Sequence, residues 1–513
     1  MTSIEGALAR LWAADSDAAM VKQGDTWFTW GEVRSLAESL DSALTAAGCG
    51  SGSRIGVVLD NRVESIAALI AVLGNGRTII TFNPMQPVAR LTADLRAAAP
   101  PVVLASASMW SDPVFRAAAE EGSIAGFAVD GDAVVPTTAG PASPAPDSGD
   151  QGPASVALEI FTSGTTGPPK RIPLTYRQLA AALGAVHGHT GAAAPPDRVP
   201  LSGRVALVTL PIVHIGGLWG VLQNLAEARP FVLLPRFTVE GWCAAVREHR
   251  PSVAGLPPAA MRAVIAADIP PADLSSLRAI TAGTTFVHPD LADEFTAKYG
   301  IPVLIMYGAT EFSGAIAGWT KSMHEQWWTR KRGSIGRPMP GVELRAVGPD
   351  GAVLAPGQSG RLEVSAGQTG NGRDEWVRTS DLGRIDEDGF IYIEGRADDA
   401  IIRGGFKVQP ETVAEALRGH SAVADATVYG RDDQRLGKVP VAVVELRDGA
   451  APVPEDELKE FCRAQLTAYE IPVRIYTVAE LPRGVSLKVD RRRLLELVAE
   501  LDESASVSAV TGG

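Results

Sequence analysis

The sequence has few of the features that mark secreted or membrane-spanning proteins. It contains three cysteines, Cys49, Cys243 and Cys462, which are widely spaced and form no C-x-x-C pair. This pattern indicates a reducing compartment and argues against a disulfide framework or structural zinc. No apolar run approaches the roughly 18 residues of a membrane span. The N-terminus lacks a basic start followed by an apolar core, so we predict no signal peptide.

An excess of positive charge is also missing. Asp and Glu (59) outnumber Lys and Arg (47), which gives a net charge of −12. Because nucleic-acid surfaces are normally basic, we expect no nucleic-acid partner. A nucleotide pocket is still possible, since a few local residues decide its charge. Together these features predict a soluble, cytoplasmic protein.

The composition is that of a globular protein, with 46% hydrophobic and 21% charged residues. A chain of 513 residues is too long for one core and indicates two to four folding units. Up to about residue 330, β-branched runs such as Arg54–Leu59 alternate with helical patterns such as Arg62–Leu73, which is typical of parallel α/β sheets. From about residue 334 short strands and turns indicate a small β-barrel-like part. Residues 398–502 have an α+β pattern, and the small, polar segment 503–513 is predicted to be disordered.

One segment organises the candidate chemistry. An apolar, strand-like run (Val156, Leu158, Ile160) leads into Phe161-Thr-Ser-Gly-Thr-Thr-Gly-Pro-Pro-Lys170. Its glycines allow backbone N–H groups to approach phosphate oxygens, its hydroxyls donate hydrogen bonds, and Lys170 supplies charge. It is not a Walker loop, because Lys170 lies three residues after Gly167. Taken alone, it is either a phosphate-wrapping loop or a polar surface turn.

Other unusual residues follow predicted strands, where α/β folds place ligand sites. In Met306-Tyr-Gly-Ala-Thr-Glu311, Tyr307 can stack on a base, Thr310 can bond a phosphate and Glu311 can hold Mg²⁺. An ordinary turn with a solvated glutamate explains that segment equally well. Further along, Asp381 is a candidate acceptor for both hydroxyls of a ribose, and Arg396 is a candidate donor to the ribose or to a phosphate. Lys488 is presented on a loop, although single lysines are usually solvated.

In this order, these segments resemble the adenylate-forming superfamily, which includes acyl- and aryl-CoA synthetases, luciferases and peptide-synthetase adenylation domains. The resemblance extends from Phe28-Thr-Trp-Gly-Glu32 to Lys488. It implies an α/β fold with a large N-terminal domain (1–397) and a small, mobile α+β C-terminal domain (398–502). It also implies a two-step reaction, in which a carboxylate attacks ATP to give an acyl-adenylate and pyrophosphate, and a nucleophile then displaces AMP.

The resemblance also implies a role for each matching residue. Glu311 binds Mg²⁺, and Thr310 contacts the α-phosphate. Tyr307 and Gly283 hold the adenine, and Lys488 bridges carboxylate and α-phosphate oxygens. The acyl pocket that the resemblance implies lies near Pro211–Trp219, Ala282–Thr285 and Tyr307–Ala315, and His214 either walls it or is a structural histidine. The ATP- and AMP-binding residues implied are Thr162, Ser163, Gly164, Thr165, Thr166, Gly167, Lys170, Gly283, Thr284, Tyr307, Gly308, Ala309, Asp381 and Arg396. The hinge implied is Asp398, and the acceptor loop is Arg403, Gly404, Gly405 and Lys407.

Two positions depart from the superfamily pattern. Ser380 replaces the usual glycine before the ribose aspartate, and Leu487 replaces the glycine that usually precedes the catalytic lysine. If position 487 needs a positive φ, leucine is strained there. The departures leave the fold assignment intact and put the presentation of Lys488 in question.

The identity of the acid is left open. Amino-acid-activating relatives place an aspartate near His214, whereas this sequence reads Pro-Ile-Val-His-Ile-Gly-Gly from Pro211. The resemblance therefore favours a small aromatic or aliphatic acid without an α-amine. We expect ATP, Mg²⁺ and CoA to be used, CoA being the acceptor. The alternatives are a carrier protein, an amine or, as in diazotases, nitrite. A third possibility is a binding protein that keeps the fold without turnover.

Overall fold

The computed structural model describes residues 4–8, 10–140, 155–162, 170–190, 199–370, 375–397, 399–403, 406–484 and 487–511. Contacts between Cα atoms divide the chain into two compact units. The N-terminal unit comprises Met1–Arg332, Gly336–Glu343 and Ser365–Glu375, and the C-terminal unit comprises Gly333–Ile335, Leu344–Val364 and Trp376–Gly513. The predicted boundary at residues 397 and 398 stays a prediction.

The strands follow one another as β1 (Ala19–Gln23), β2 (Thr26–Thr29), β3 (Arg54–Val58), β4 (Thr78–Phe82), β5 (Val102–Ala105), β6 (Ala125–Asp130), β7 (Ala133–Thr138), β8 (Val156–Thr162), β9 (Lys170–Thr175), β10 (Ala206–Val208), β11 (Phe231–Leu233), β12 (Val253–Gly255), β13 (Ala279–Ala282), β14 (Val303–Ala309), β15 (Gly314–Gly318), β16 (Arg337–Pro338), β17 (Val342–Val347), β18 (Gly360–Ala366), β19 (Val377–Ile385), β20 (Ile391–Arg396), β21 (Ile401–Arg403), β22 (Phe406–Val408), β23 (Val423–Asp433), β24 (Gly437–Leu446) and β25 (Arg474–Val478).

The helices are α1 (Ile4–Leu8), α2 (Trp30–Ala46), α3 (Val63–Leu73), α4 (Val88–Ala98), α5 (Ala107–Trp110), α6 (Pro113–Glu121), α7 (Tyr176–Thr190), α8 (Ile215–Ala226), α9 (Val239–His249), α10 (Pro258–Ala266), α11 (Pro289–Tyr299), α12 (Lys321–Trp327), α13 (Pro410–Arg418), α14 (Glu455–Arg463) and α15 (Arg491–Thr511). Short 3-10 turns lie at Leu11–Ala13, Pro271–Leu274 and Thr310–Phe312. In the part of the chain that the structure describes, no helix is both long and apolar enough to cross a membrane.

A seven-stranded sheet in the N-terminal unit has the order β7-β6-β5-β3-β4-β8-β9. Its central strands are parallel, and the pairs β6–β7 and β8–β9 at its edges are antiparallel. All five residues of β4 are buried, as expected for a parallel strand covered on both faces. Helix α3 packs among the same core residues, because nearly its whole surface is apolar. The predicted α/β layering is confirmed.

Two further sheets complete the N-terminal unit. One has the order β10-β11-β1-β2, and the other has the order β12-β13-β14-β15-β16. In the latter, β12, β13 and β14 are parallel, so the carboxyl ends of β13 and β14 lie at the same edge of the sheet. Strand β14 then turns back through Thr310–Phe312 into the antiparallel β15. This turn carries the predicted Thr310 and Glu311.

The C-terminal unit combines two kinds of sheet. Strands β17 to β20 form a four-stranded sheet of short strands, where short strands were expected. The second sheet has the order β22-β21-β24-β23, with β25 paired to β24. Helices α13 and α14 contribute Val413, Leu417, Leu458 and Cys462 to the core beneath it. The predicted α+β pattern of this region is confirmed.

The C-terminal segment differs from the expectation of disorder. Helix α15 continues to Thr511, whereas we predicted that 503–513 has no fixed structure. Once a helix is established, each added residue gains a hydrogen bond at little further cost, so a helix can run on through small residues. Residues 512 and 513 lie outside the described part.

Candidate active site

The predicted phosphate loop connects two antiparallel strands. Strand β8 ends at Thr162 and β9 begins at Lys170, and these two residues are paired across the strands. The loop therefore starts at a strand end, as the apolar run before it indicated. The side chains of Thr162 and Lys170 lie outside the described part, and so do the whole of Ser163, Gly164, Thr165, Thr166 and Gly167.

The residues expected at the adenine lie on neighbouring strand ends. Ala282 of β13 pairs with Ile305 of β14, which brings Gly283 beside Met306 and Tyr307. A Cβ at Gly283 would lie 2.7 Å from the carbonyl oxygen of Met306, so the close approach of the two backbones requires glycine here. Tyr307 is half-buried on this edge. The structure thus brings Gly283 and Tyr307 together.

The turn after β14 presents the predicted phosphate and metal residues. Thr310 is half-buried and Glu311 is exposed, and the N–H of Ser313 donates to the carbonyl oxygen of Thr310 (2.9 Å) to close the turn. Gly308 and Ala309 form the last part of β14. Among the described residues, no cluster of three His, Cys, Asp or Glu could hold a metal by itself. Mg²⁺ commonly binds one or two carboxylates together with substrate phosphates, and a single exposed carboxylate fits that mode.

The predicted acyl-pocket segments also meet. His214 caps the N-terminus of α8, and its carbonyl oxygen accepts from the N–H groups of Gly217 and Leu218 (both 3.0 Å). A Cβ at Gly216 would lie 3.3 Å from the side chain of Thr284, and one at Gly314 would lie 3.3 Å from the ring of Trp219. The ring of Trp219 therefore covers Gly314 at the start of β15.

Thr284 has an unusual backbone in this region. Its φ of 67° is left-handed, although Thr284 is β-branched and exposed. Bulky residues rarely adopt a positive φ, and the residues that do so are concentrated at ligand-binding and active sites. Sequence reasoning did not predict this backbone conformation of Thr284.

Two buried amides position these segments, and sequence reasoning missed both. Gln368 is 1% exposed, and its side chain donates to the carbonyl oxygens of Phe312 (3.0 Å) and Ala315 (2.9 Å). Asn61 donates to the carbonyl oxygen of Leu234 (2.7 Å) and accepts from the N–H of Ile212 (2.9 Å). Each amide therefore holds in place a segment that adjoins a strand end. Neither lies in a motif, so no local signal could have identified it.

Two predicted ribose residues are neighbours in the C-terminal unit. Asp381 of β19 and Arg396 of β20 are directly paired, so their side chains lie near one another. The N–H of Asp381 donates to the hydroxyl of Thr379 (3.0 Å), and Arg396 forms an ion pair with Asp399 (3.3 Å). Ser380 lies within the extended strand β19 and is not left-handed. Serine in place of glycine therefore causes no backbone strain here.

Lys488 lies on a tight loop between β25 and α15. Its carbonyl oxygen accepts from the N–H of Gly484 (2.8 Å), and Arg483 and Val489 form an isolated antiparallel bridge. The Lys488 side chain is exposed to solvent. Partial desolvation and then the positive charge of Arg396 lower the pKa of Lys488 below its usual range. Arg396 and Lys488 therefore lie near enough for their charges to repel each other.

The acceptor-loop residues are described only in part. Arg403 ends β21, and its guanidinium donates to the carbonyl oxygens of Tyr469 (2.8 Å) and Ile471 (3.0 Å). The exposed ring of Phe406 stacks on Tyr469, with 4.7 Å between ring centroids. Asp398, Gly404 and Gly405 lie outside the described residues, as does the Lys407 side chain. Arg403 thus has a local structural role that the sequence did not reveal.

Comparison with known proteins identifies the family. The model of the AMP-binding enzyme family matches residues 9–372, and that of the AMP-binding enzyme C-terminal domain matches residues 412–488. The chain is 30% identical over 502 residues to an indoleacetate–CoA ligase of Aromatoleum aromaticum, which covers 92% of this chain and 93% of that protein. It is 31% identical over 358 residues to a 2-succinylbenzoate–CoA ligase of Bacillus cereus, covering 67% of this chain and 70% of the relative.

Solved structures share the fold. ATP-bound MatB from Rhodopseudomonas palustris superposes with a TM-score of 0.81 at 22% identity, over 96% of this chain and 99% of that one. The amide bond synthetase McbA from Marinactinospora thermotolerans superposes with a TM-score of 0.79 at 24% identity, with the same coverage. The chain belongs to the AMP-binding enzyme family, the adenylate-forming superfamily, and within it to the acyl- and aryl-CoA synthetase type.

Proposed function

We propose that the protein is an ATP-dependent acid–CoA ligase. A carboxylate oxygen of the acid attacks the α-phosphorus of ATP, the bond to the bridging oxygen breaks, and pyrophosphate leaves. The CoA sulfur then attacks the acyl carbon, the thiol proton is lost, and AMP leaves with the bonding electron pair. The observation that carries this proposal is the meeting of Gly283, Tyr307, Thr310 and Glu311 at the ends of two neighbouring parallel strands.

The roles of individual residues follow from their chemistry. Tyr307 and Gly283 border the adenine, Thr310 donates to the α-phosphate, and residues 163–170 surround the β- and γ-phosphates. Glu311 would hold Mg²⁺, which neutralises phosphate charge when bound. We assign to Lys488 the role of bridging the carboxylate and α-phosphate oxygens, because a lysine's positive charge would stabilise the transition state in which these oxygens approach each other.

The ribose is assigned to the C-terminal unit's Asp381 and Arg396. A carboxylate accepts from ribose hydroxyls, and a guanidinium donates to the ribose or to phosphate. Their direct pairing across β19 and β20 supports a joint role. We retain Asp398 as the hinge, and the loop from Arg403 to Lys407 as the contact for the acceptor.

We further propose an aromatic carboxylic acid as substrate. The relatives named for indoleacetate and 2-succinylbenzoate both act on aromatic acids. The ring of Trp219 over Gly314 supplies a flat apolar wall, which suits a planar group. No carboxylate occurs between Pro211 and Trp219 to pair with an α-ammonium.

A cytoplasmic location is supported by Cys49, Cys243 and Cys462, which are free and buried.

A pyrophosphate-release assay tests the reaction and the acceptor. Across a panel of aromatic and aliphatic acids with ATP and Mg²⁺, the correct acid should give a single burst of pyrophosphate. Adding CoA should convert the burst into steady turnover and yield an acyl-thioester. Steady turnover with an amine, nitrite or a carrier protein, while CoA is inert, would replace the CoA proposal with the corresponding acceptor.

A charge reversal in the acceptor loop sharpens this test. Lys407→Glu should raise the CoA concentration needed for half-maximal rate by about tenfold, since it replaces attraction to CoA phosphates with repulsion. The KM for ATP should not change. Arg447→Glu is the matched control, because Arg447 is exposed and lies ten residues beyond Gly437, the partner of Arg403 in β24. Equal effects of the two variants would contradict a CoA contact in this loop.

A second prediction concerns Asp398 as hinge. Asp398→Pro fixes φ near −65° and should trap the small domain in one orientation. Adenylate formation should persist, while acyl transfer from pre-made adenylate to CoA should fall by about tenfold or more, because only the second step requires the rotation. Asp398→Ala keeps the backbone free and should leave both steps nearly unchanged. Loss of adenylation before transfer in the proline variant would argue against the hinge.

A further inference from the structure

The residue before Lys488 has a strained backbone. Leu487 has a φ of 60°, in the left-handed region that favours glycine. A non-glycine residue there brings its Cβ too close to a carbonyl oxygen, so the extended or right-handed conformation is preferred in isolation. Contacts with the surrounding structure must therefore stabilise the left-handed form of Leu487. The orientation of the next residue, Lys488, depends on that backbone conformation.

Arg483 is placed to supply that constraint. Its Nη1 donates to the carbonyl oxygen of Leu487 (3.4 Å), and the N–H of Leu487 donates to the carbonyl oxygen of Gly484 (2.8 Å). The other guanidinium nitrogen of Arg483 donates to the carboxylate of Asp425 (2.6 Å) and lies 3.4 Å from that of Glu445. Arg483 thus links the strained residue to strands β23 and β24.

The anchor on the other side is buried and itself fixed. The Asp425 side chain is 5% exposed, and its second oxygen accepts from Arg418 (2.8 Å) of helix α13. The Asp425 carboxylate therefore cannot follow a movement of the loop. The Arg483 side chain is 15% exposed, so the solvent screens this ion pair only weakly.

We propose that Arg483 is a positioning residue that holds Leu487 in the left-handed conformation and thereby orients Lys488 for adenylation. The inference rests on the proposed role of Lys488. It also explains how this chain accommodates leucine where the resemblance led us to expect glycine: a side-chain anchor replaces the conformational freedom of glycine. Sequence reasoning missed Arg483, because its partner Asp425 is 58 residues away.

A double-mutant cycle tests this mechanism. Arg483→Met should lower the rate of adenylate formation by about tenfold, which corresponds to ~1.4 kcal/mol of barrier. Leu487→Gly should change that rate by less than about threefold, since glycine adopts the left-handed form without steric strain. In the Leu487→Gly background, Arg483→Met should cost less than about threefold, because the strained residue is gone. Transfer from pre-made adenylate to CoA should stay within about twofold in all three variants.

Arg418→Met separates positioning from stability. Arg418 pairs with the same carboxylate, but among the described residues its guanidinium donates to Asp425, Glu411 and the carbonyl oxygen of Ala426, none of which lies in the Lys488 loop. If Arg483 only stabilises the fold, the two methionine variants should lose thermal stability and adenylation in parallel, and the losses for Arg483→Met should not depend on residue 487. Either result would overturn the inference. If Arg483→Met does not fold, Arg483→Lys is measured in the same cycle with the same criterion.

Lys488→Ala is the reference for the proposed function. If this variant adenylates at the wild-type rate, the role of Lys488 fails, and the inference fails with it. If Lys488→Ala is impaired and the cycle shows no coupling between positions 483 and 487, only the positioning role of Arg483 fails.

Discussion

Lys488→Ala should lower the rate of adenylate formation by ~10²–10³-fold, the scale for removing one preorganised charge contact to a transition state. The reason is electrostatic: the attacking carboxylate and the α-phosphate are both anionic, and Lys488 is the cation presented at the end of its loop. The pKa of Lys488 is lowered by desolvation and by the nearby positive charge of Arg396. Conversion of pre-made acyl-adenylate to thioester should change little.

The measurement compares the two half-reactions in the same variant. Pyrophosphate release reports adenylation, and thioester formation from synthetic adenylate reports transfer. Lys438→Ala is the matched control, since Lys438 is an exposed lysine of the same unit and should leave both steps unchanged. Equal loss in both half-reactions of Lys488→Ala would remove Lys488 from the adenylation step.

Much of the fold could be predicted because its signals are local. The β-branched run Arg54–Leu59 predicted a strand, and Arg54–Val58 form the largely buried parallel strand β3. The boundary of helix α2 follows from a capping box, in which Thr29 and Glu32 satisfy each other's backbone N–H groups. The prediction of disorder for residues 503–513 was wrong for the part that belongs to helix α15, which runs to Thr511. A small and polar composition does not reveal that a helix begun earlier in the chain continues through such a segment.

The candidate site likewise has features that the sequence could predict and features that it could not. Glycines and hydroxyl or charged residues at strand ends were visible in the sequence, because α/β sheets place ligands at such positions. The contacts that fix these strand ends were not. Gln368 reaches Phe312 across 56 residues and Asn61 reaches Ile212 across 151, and a single amide carries no periodicity or motif. Long-range polar contacts therefore require a structure.

Leu487 shows what a resemblance can and cannot predict. Its departure from glycine raised the question of a positive φ, and the left-handed backbone confirms that condition. The compensating Arg483 could not be inferred, since arginines near loops are usually solvated. The departure at Ser380 has the opposite outcome, because β19 is extended there. At these two positions, replacing glycine strains the backbone only at Leu487, where φ is positive.

Asp425→Ala should lower the free energy of unfolding of the C-terminal unit by ~3–5 kcal/mol, the cost of removing one partner of a buried ion pair. Asp425 accepts from Arg418 (2.8 Å) and Arg483 (2.6 Å), and Arg418 also pairs with Glu411 (2.6 Å). Burial lowers the pKa of Arg418, but the carboxylates of Glu411 and Asp425 outweigh it and raise that pKa overall. Without Asp425, the guanidinium groups of Arg418 and Arg483 each lose a carboxylate partner in a poorly solvated site, which destabilises the folded unit.

The test is denaturant unfolding followed by circular dichroism, with the C-terminal transition fitted separately because the chain has more than one unit. Asp448→Ala, at an exposed position of the same unit, should shift that transition by less than ~0.5 kcal/mol. Asp425→Asn keeps the shape and an acceptor oxygen, so a smaller loss than in Asp425→Ala would assign the difference to the missing hydrogen-bond acceptor and cavity. If Asp425→Ala and Asp448→Ala have equal free energies of unfolding, Arg418 and Arg483 are hydrated once the Asp425 carboxylate is removed. The ion pairs of Asp425 then do not anchor the Lys488 loop.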